Sequence, residues 1–361
     1  MAVRPGDKLA PSPAPSFAVR LTLLVPELIW PEPGDTQTLA DLAAPAFRWL
    51  DGHADLARST AISWEKSLLE QFAVADAGSA AFRRLGEDGS APDDGHWLCA
   101  DPVHLRFHHE RIVLADAGAF DIDAAEAQAL VGALNTEFAD IGVFHAATPR
   151  RWYLRLHAAV DHLAAPLSAV AGRRMDSDLS DKTSPLHRWL NEVQMFLHLH
   201  PVNAARAAAG KPAINSLWLW GNGPAATPAN GPDAVFADDP LARGLARAAG
   251  ITARELPAKA DAVLDSGAQR PLVVIDTLLP NVLYENPEGW RQAFARLDTE
   301  WLAPIHGRLG KTVKNLVIVA PTIYGRLHWT LAAGARWKFW KSGRTPQQVA
   351  QALAGPQGKA S

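Results

Sequence analysis

The chain holds a single cysteine, Cys99, in 361 residues. That excludes an intrachain disulfide and any zinc site built mainly on thiolates. No apolar run approaches the roughly 20 residues that a membrane-crossing helix needs. The first twenty residues carry Pro5, Pro11, Pro13 and Pro15 with Asp7 and Lys8 but no continuous apolar region, so no signal peptide is read there. An excess of one charge is missing too. The 35 Lys and Arg against 38 Asp and Glu give a formal net charge of −3, with the basic residues scattered, which argues against a general nucleic-acid surface. These absences predict a cytoplasmic bacterial protein that is not an integral membrane protein and has no nucleic-acid partner.

What is present is apolar content enough for a large core: 48% of the residues are hydrophobic, and the length suits two domains or one domain with an insertion. Residues 1–18, rich in proline and small side chains, read as a disordered leader. The first element is the run Val-Arg-Leu-Thr-Leu-Leu-Val over 19–25, stopped by Pro26, and two similar runs follow at 271–275 and 315–320. Short continuous apolar runs of this kind suit a parallel sheet covered by helices on both faces. Between the last two lies a helix with Asn286 as cap and Pro287 in its first turn. Its apolar stripe is Trp290, Phe294, Leu297, Trp301 and Ile305, and Pro304 is expected to kink or end it early.

The middle of the chain differs. Residues 86–95 read as an acidic surface loop and a boundary. Strands are expected at 103–107 and 111–114, then a helix opened by the capping box of Asp123 and Glu126 with Ala127, Leu130, Val131 and Leu134 inward. A polar loop at 172–183 and a helix from about 185 to 197 follow, the latter burying Leu186, Trp189, Leu190, Val193, Phe196 and Leu197. The fold class is therefore α/β, a largely parallel sheet with helices on both faces, plus an inserted α+β domain.

Several polar groups invite a chemical reading. Strand alternation puts His104, Arg106 and His108 on one face, able to hold an anion or simply to meet solvent. Cys99 with these histidines lacks a fourth zinc ligand. His198 and His200 flank a helix end, where the dipole alone accounts for them. From Arg326 onward the chain carries Arg326, Arg336, Lys338, Lys341, Arg344 and Lys359 and no acid, with Trp329, Trp337, Phe339 and Trp340 among them. That segment is either a docking surface for a protein partner or a last strand packed by its tryptophans with its cationic heads in solvent.

The block from His198 to Gly223 is the most informative. Its His-Leu-His-Pro-Val-Asn-Ala-Ala-Arg, Gly210-Lys211-Pro212 and Ile214-Asn215-Ser216-Leu217-Trp218-Leu219-Trp220-Gly221-Asn222-Gly223 resemble archaeal-type cofactor-independent phosphoglycerate mutases of the alkaline phosphatase superfamily. The capped helix from Asp123 to Asn135 is similar to one in the inserted substrate domain of those enzymes. Asp101-Pro102-Val103-His104-Leu105 and Asn191-Glu192-Val193-Gln194-Met195 resemble a bacterial subset filed as regulatory proteins of the RpfE type. The resemblance spans roughly residues 20–330. It implies an alkaline phosphatase-like core over 19–95 and 232–345, a substrate-type insert over 96–231, and a flexible tail over 346–361.

The resemblance also implies two metal ions gripped by aspartates and histidines past the strand ends, and a serine or threonine nucleophile. Here Glu27-Leu28 stands where Asp-Gly is expected. Pro280 is followed by Asn281 and then Glu285 where Pro-Asp-x-x-x-His is expected, and Pro321-Thr322 replaces the Asp-His pair. Only His328 falls near a late family histidine. Proline offers no donor atom and threonine is a poor ligand, so a complete pair of sites is not expected. Glu27, Asn281, Glu285 and His328 remain as a set for a single magnesium or manganese ion. Ser59, Thr60 and Ser63 are the nucleophile candidates, and a helix N-cap before Trp64 is the favoured reading of them. Asn203, Arg206, Asn215 and Asn222 are the candidate ligand-binding residues for a small phosphorylated or anionic ligand; the same residues also suit a buried seam between insert and core.

Two functions follow. One is a degenerate mutase-like protein that binds or regulates and needs no cofactor. The other is an active mutase or phosphatase with a rearranged single-metal site, which requires Glu27, Glu285 and His328 around one ion.

Overall fold

The computed structural model describes residues 18–75, 77–89, 95–108, 111–162, 164–172, 174–175, 185–223, 226–229, 231–337 and 341–355. The leader, apart from its last residue, and most of the 172–183 loop lie outside them. A seven-stranded sheet forms the larger unit. Its strands are β1 (Val19–Leu24), β2 (Asp55–Ser59), β9 (Ala234–Phe236), β10 (Thr252–Arg254), β11 (Pro271–Val274), β12 (Val313–Thr322) and β13 (Gly325–Ala332), in the order β10-β9-β11-β1-β12-β13-β2. The first five are parallel, and β13 and β2 close one edge antiparallel.

Alternation along the central strands builds two cores. Leu21, Leu23, Val273, Leu316 and Ile318 face one side, with Phe47, Trp290, Phe294 and Trp301 packed on them. Leu24, Leu272, Val274 and Val319 face the other, covered by Leu68, Phe82, Leu241 and Leu245. The three apolar runs are therefore strands buried on both faces, and the unit is an α/β layer structure with a largely parallel sheet.

Three local expectations change. Pro304 does not end its helix: Pro287–Arg296 runs into a wide π-type turn, Leu297–Leu302, and continues as Ala303–Arg308. The turn of wider pitch lies immediately before the proline, where a regular i to i−4 bond would meet a residue with no amide hydrogen. Residues 86–88 are not loop but the last turn of helix Ser79–Asp88, closed by Gly89 at φ 74°. Residues 346–354 are not a flexible tail. Pro346–Ala354 is a helix opened by the Thr345–Gln348 capping box, with Val349 and Ala350 in the main core. Arg344 is bound to the buried Asp51, which also accepts from the Trp329 indole.

The second unit lies between 96 and 220. Its sheet uses β3 (His96–His108), β4 (Arg111–Asp116), β5 (Gly142–Thr148), β6 (Arg151–Leu156) and β7 (Arg174–Met175) in the order β5-β6-β3-β4-β7, and β8 (Ser216–Trp220) also pairs with β3. Helices Ala124–Glu137 and Pro185–Leu199 cover one face through Leu130, Leu134, Trp189 and Val193, as the sequence pattern predicts. The opposite face presents Trp97, Cys99, Tyr153 and Trp220 to Ala80 of the larger unit.

Arg83 crosses that seam. It is 7% exposed, donates to both carboxylate oxygens of Asp101 at 2.8 and 2.7 Å and to the Tyr153 hydroxyl at 3.0 Å, and stacks over the Tyr153 and Trp220 rings. The Trp220 indole donates to the same Asp101 at 2.8 Å. No helix among the described residues is long and apolar enough to cross a membrane.

Candidate functional site

The carboxyl ends of β1 and β12 frame a cavity of about 310 Å³ between the two units. Beyond β1 the chain stays alongside its neighbour: the Val25 amide donates to Val319 and the Glu27 amide to Pro321, both at 2.9 Å. Glu27 is 5% exposed and sits at φ 55°, a left-handed conformation costly for a residue with a β-carbon. The Trp290 indole holds its carbonyl at 3.0 Å, so neighbours on both sides fix this backbone. From the end of β12 and the turn after it come Pro321, Thr322 and Ile323. The Thr322 hydroxyl donates to the Gly325 carbonyl at 2.9 Å and accepts from the Tyr324 amide at 3.1 Å.

The other walls come from the start of helix Trp64–Glu70 and from the insert. Ser63 caps that helix by accepting from the Lys66 amide at 3.1 Å. Ser63 and Trp64 line the cavity opposite Ser168 and Ala169 of the insert's short Leu167–Val170 turn. The Trp64 indole N–H is buried and has no acceptor among the described residues. Of the three nucleophile candidates, the structure brings Ser63 to the cavity, while Ser59 lies on edge strand β2 against Arg326.

The four expected metal ligands do not converge. Glu27 borders the cavity. Asn281 is spent on Thr277 and Asn286, and Glu285 is exposed in the turn between two helices, also left-handed at φ 50°. His328 lies mid-strand in β13, on the face opposite Leu327 and Trp329, and burial first and Arg326 second hold its imidazolium below the usual histidine range. Among the described residues no three His, Cys, Asp or Glu side chains stand close enough to share an ion. The single-cation set built on Glu27, Glu285 and His328 is therefore not assembled.

The four candidate ligand-binding residues lie in the insert, and their polar groups serve its own architecture. Asn203 exchanges hydrogen bonds with the Ile214 backbone at 2.8 Å each way, and Asn215 does the same with Leu105 at 2.8 and 3.0 Å. Arg206 is 1% exposed and donates to the Pro212 and Asp121 carbonyls and to Glu126 at 2.7 Å. Asn222 borders a second cavity of about 240 Å³ with His96, Trp97 and Val160. His104 Nδ1 donates to the Ala213 carbonyl at 2.7 Å, and the side chain of His108 lies outside the described residues. In the C-terminal segment, Trp329 belongs to the main core and Arg326 pairs with Glu70, whereas residues 338–340 lie outside the description.

Carboxylates that the sequence pattern did not single out stand near the strand ends. Asp276 directly follows the β11 run. Asp239 caps helix Pro240–Ala248, accepting from Ala242 at 2.9 Å. Burial first, then the neighbouring Asp276 and Glu65, push the Asp239 carboxyl up to about 7. The signals were local: an acid at the end of an apolar run, and an Asp-Pro pair at a helix start. A carboxyl raised in the folded state holds its proton where the unfolded chain has lost it. Its contribution is therefore complete below about pH 4 and is lost as pH rises towards 7. Asp239→Asn keeps the cap and removes the titration. In urea unfolding it should gain about 4 kcal/mol over the parent at pH 8 and nothing at pH 4; an equal offset at both pH values would assign the effect elsewhere.

No family profile matches the chain. It is 29% identical over 137 residues to the 2,3-bisphosphoglycerate-independent phosphoglycerate mutase of Methanosarcina mazei, covering 35% of this chain and 34% of that protein. The corresponding mutase of Methanosarcina barkeri is 31% identical over 144 residues, 36% of this chain and 34% of that protein. The matched stretch thus spans about a third of the length of these curated relatives. Among solved structures, the PH0037 protein of Pyrococcus horikoshii superposes with a TM-score of 0.53 at 15% identity over 92% of both chains, which shows a shared overall fold. The sequence is thus similar, at low identity and over about a third of its length, to the archaeal cofactor-independent phosphoglycerate mutases.

Proposed function

We propose that this chain is a degenerate phosphoglycerate mutase-like protein of the bacterial cytoplasm, in the RpfE-type subset, that binds a small phosphorylated or anionic ligand and acts as a regulatory protein without two-metal phosphotransfer. The observation that carries the reading is the composition of the cavity at the strand ends. A two-metal centre needs several carboxylate and imidazole donors converging there. The described lining supplies one carboxylate, Glu27, with the hydroxyls of Ser63, Ser168 and Thr322 and the unsatisfied Trp64 indole. That donor set does not fit the paired ions of the family, and no chemical step is derived through them.

It suits a ligand bound through a few hydrogen bonds and apolar contact with Ile62, Leu279 and Ile323. The acidic group of such a ligand would turn towards the Trp64 indole and the Ser63 hydroxyl and away from Glu27, since the Ser168 and Thr322 hydroxyls already donate to Glu65 and Gly325. Titration calorimetry with 3-phosphoglycerate and with inorganic phosphate tests this. Binding should weaken about tenfold in Trp64→Phe, which removes one donor to a charged acceptor. Mutase and phosphatase assays with added manganese should stay at background. Turnover accompanied by stoichiometric bound metal would instead establish the active, single-metal alternative.

A further inference from the structure

Behind the cavity wall lies a carboxyl group to which the proposed function gives no role. Glu65, on helix Trp64–Glu70, is 4% exposed. Its Oε1 accepts a hydrogen bond from the Ser168 hydroxyl at 2.6 Å, and its buried Oε2 has no hydrogen-bond partner. Ser168 belongs to the Leu167–Val170 turn of the insert, and it lines the cavity with Ala169. One hydrogen bond therefore fastens the insert side of the cavity wall to the helix on the core side.

The groups around Glu65 oppose a negative charge there. Asp239, at the start of helix Pro240–Ala248, acts on it directly, and Asp276 stands behind Asp239. The thiol of Cys99, on β3, is buried nearby. The cation that acts on it is Arg83 on helix Ser79–Asp88, whose guanidinium is already committed to Asp101 and Tyr153. Arg243, on the helix of Asp239, has a buried Nε without a partner, and Lys66 on the helix of Glu65 is exposed. The end of β12 adds the uncharged Thr322. A buried carboxylate with one hydrogen bond and no committed counterion is costly, whereas the neutral acid is not. Burial accordingly pushes the Glu65 carboxyl above the usual range, against the opposing effect of the Ser168 hydrogen bond.

We propose that Glu65 is a proton-operated latch: as the neutral acid it holds the Leu167–Val170 turn against helix Trp64–Glu70, and on losing its proton to solvent it releases that turn and opens the cavity wall. The closed state binds the proton more tightly than the open state, so rising pH favours opening. Val170 and Ala171 at the far end of the turn pack with Leu283 of the larger unit, and Arg83 with Asp101, Glu87 with Arg151 and Asp116 with Tyr284 tie the units elsewhere, so the release frees the Ser168 side of the turn while the insert stays in place. Nothing in the latch depends on what the cavity binds, so it stands or falls separately from the proposed function.

Hydrogen exchange on the full chain at pH 6 and pH 9, corrected for intrinsic rates, reads the turn directly. The peptide spanning 166–172 should lose about tenfold in protection at pH 9, equivalent to one pK unit of linkage, while peptides in β5 and β6 hold. Glu65→Gln, neutral at every pH, should keep the low-pH protection at both, and Ser168→Ala should lose it at both. A pH-independent parent, or a Glu65→Gln variant with the parent's pH response, overturns the proposal. Infrared difference spectra between the same pH values give a second readout that holds even if Glu65→Gln does not fold. The parent should show a carboxylic acid carbonyl band that shifts in Ser168→Ala, and the absence of such a band overturns the latch.

Discussion

Asp101→Asn is expected to cost about 3–5 kcal/mol in urea unfolding, because it strips the counterion from a buried guanidinium and leaves the charge in place. Arg83 has few alternatives. The Tyr153 hydroxyl and the Trp152 carbonyl at 3.4 Å remain as acceptors, but both are neutral, and the rings of Tyr153 and Trp220 stack over its faces and exclude solvent. Removing both charges is a different case. Arg83→Met with Asp101→Leu exchanges the ion pair for apolar volume, and such exchanges are often neutral. Here the Trp220 indole would lose its acceptor as well, so the double variant should recover most but not all of the loss. A single-variant loss below about 1 kcal/mol would mean that water reaches the seam and that the pair behaves as an exposed one. Because Arg83 stands on a core helix and Asp101 on an insert strand, the same loss would appear as earlier separation of the two units, visible as a second transition in the melting curve.

Several elements of this chain that are encoded within a few residues are legible in the sequence. The runs at 19–25, 271–275 and 315–320 are buried on both faces, so their composition alone marks them as central parallel strands. The Asp123–Glu126 box and the Asn286-Pro287 start each carry their own cap. The Arg83–Asp101 pair was invisible for the opposite reason: Arg83 sits in a helical pattern among charged residues, and its partners Asp101, Tyr153 and Trp220 come from three separate strands. Helix Pro45–His53 shows the same limit. It has Ala44 where a capping side chain belongs, and its amides at Ala46 and Phe47 are bound by Asp298, about 250 residues away. The tail differs from its expected flexibility: the Thr345–Gln348 box is a local helix signal, but Val349 and Leu353 are the only large apolar residues after it, too few to mark a buried face in the sequence. At the candidate site the strand ends were legible as positions. Which side chains they bring together was not, since His328 is turned by strand parity and Glu285 by a helix boundary.

Gly86→Ala should be strongly disruptive for a single-methyl change, because the space for that methyl is occupied by backbone. A β-carbon at Gly86 would lie 1.7 Å from the Pro240 carbonyl oxygen, and one at Gly244 would lie 1.7 Å from that of Phe82. The two glycines let helices Ser79–Asp88 and Pro240–Ala248 touch main chain to main chain, and Arg247 secures the contact by donating to the Leu85 carbonyl at 2.6 Å. Backbone cannot rotate aside as a side chain can, so the helices must separate, and Phe82, Leu241 and Leu245 would lose packing on that face of the sheet. Overpacking usually costs 1–3 kcal/mol, and this geometry places the expected loss at about 3 kcal/mol or more even after alanine's helix preference of about 1 kcal/mol is subtracted. Gly132 supplies the control. It sits in helix Ala124–Glu137 with nothing within 4 Å of its would-be β-carbon, so Gly132→Ala should stabilise by about 0.5–1 kcal/mol. Opposite signs for the same chemical change, measured side by side by urea unfolding, isolate the helix contact from propensity. Equal signs would show that the helices are free to move apart.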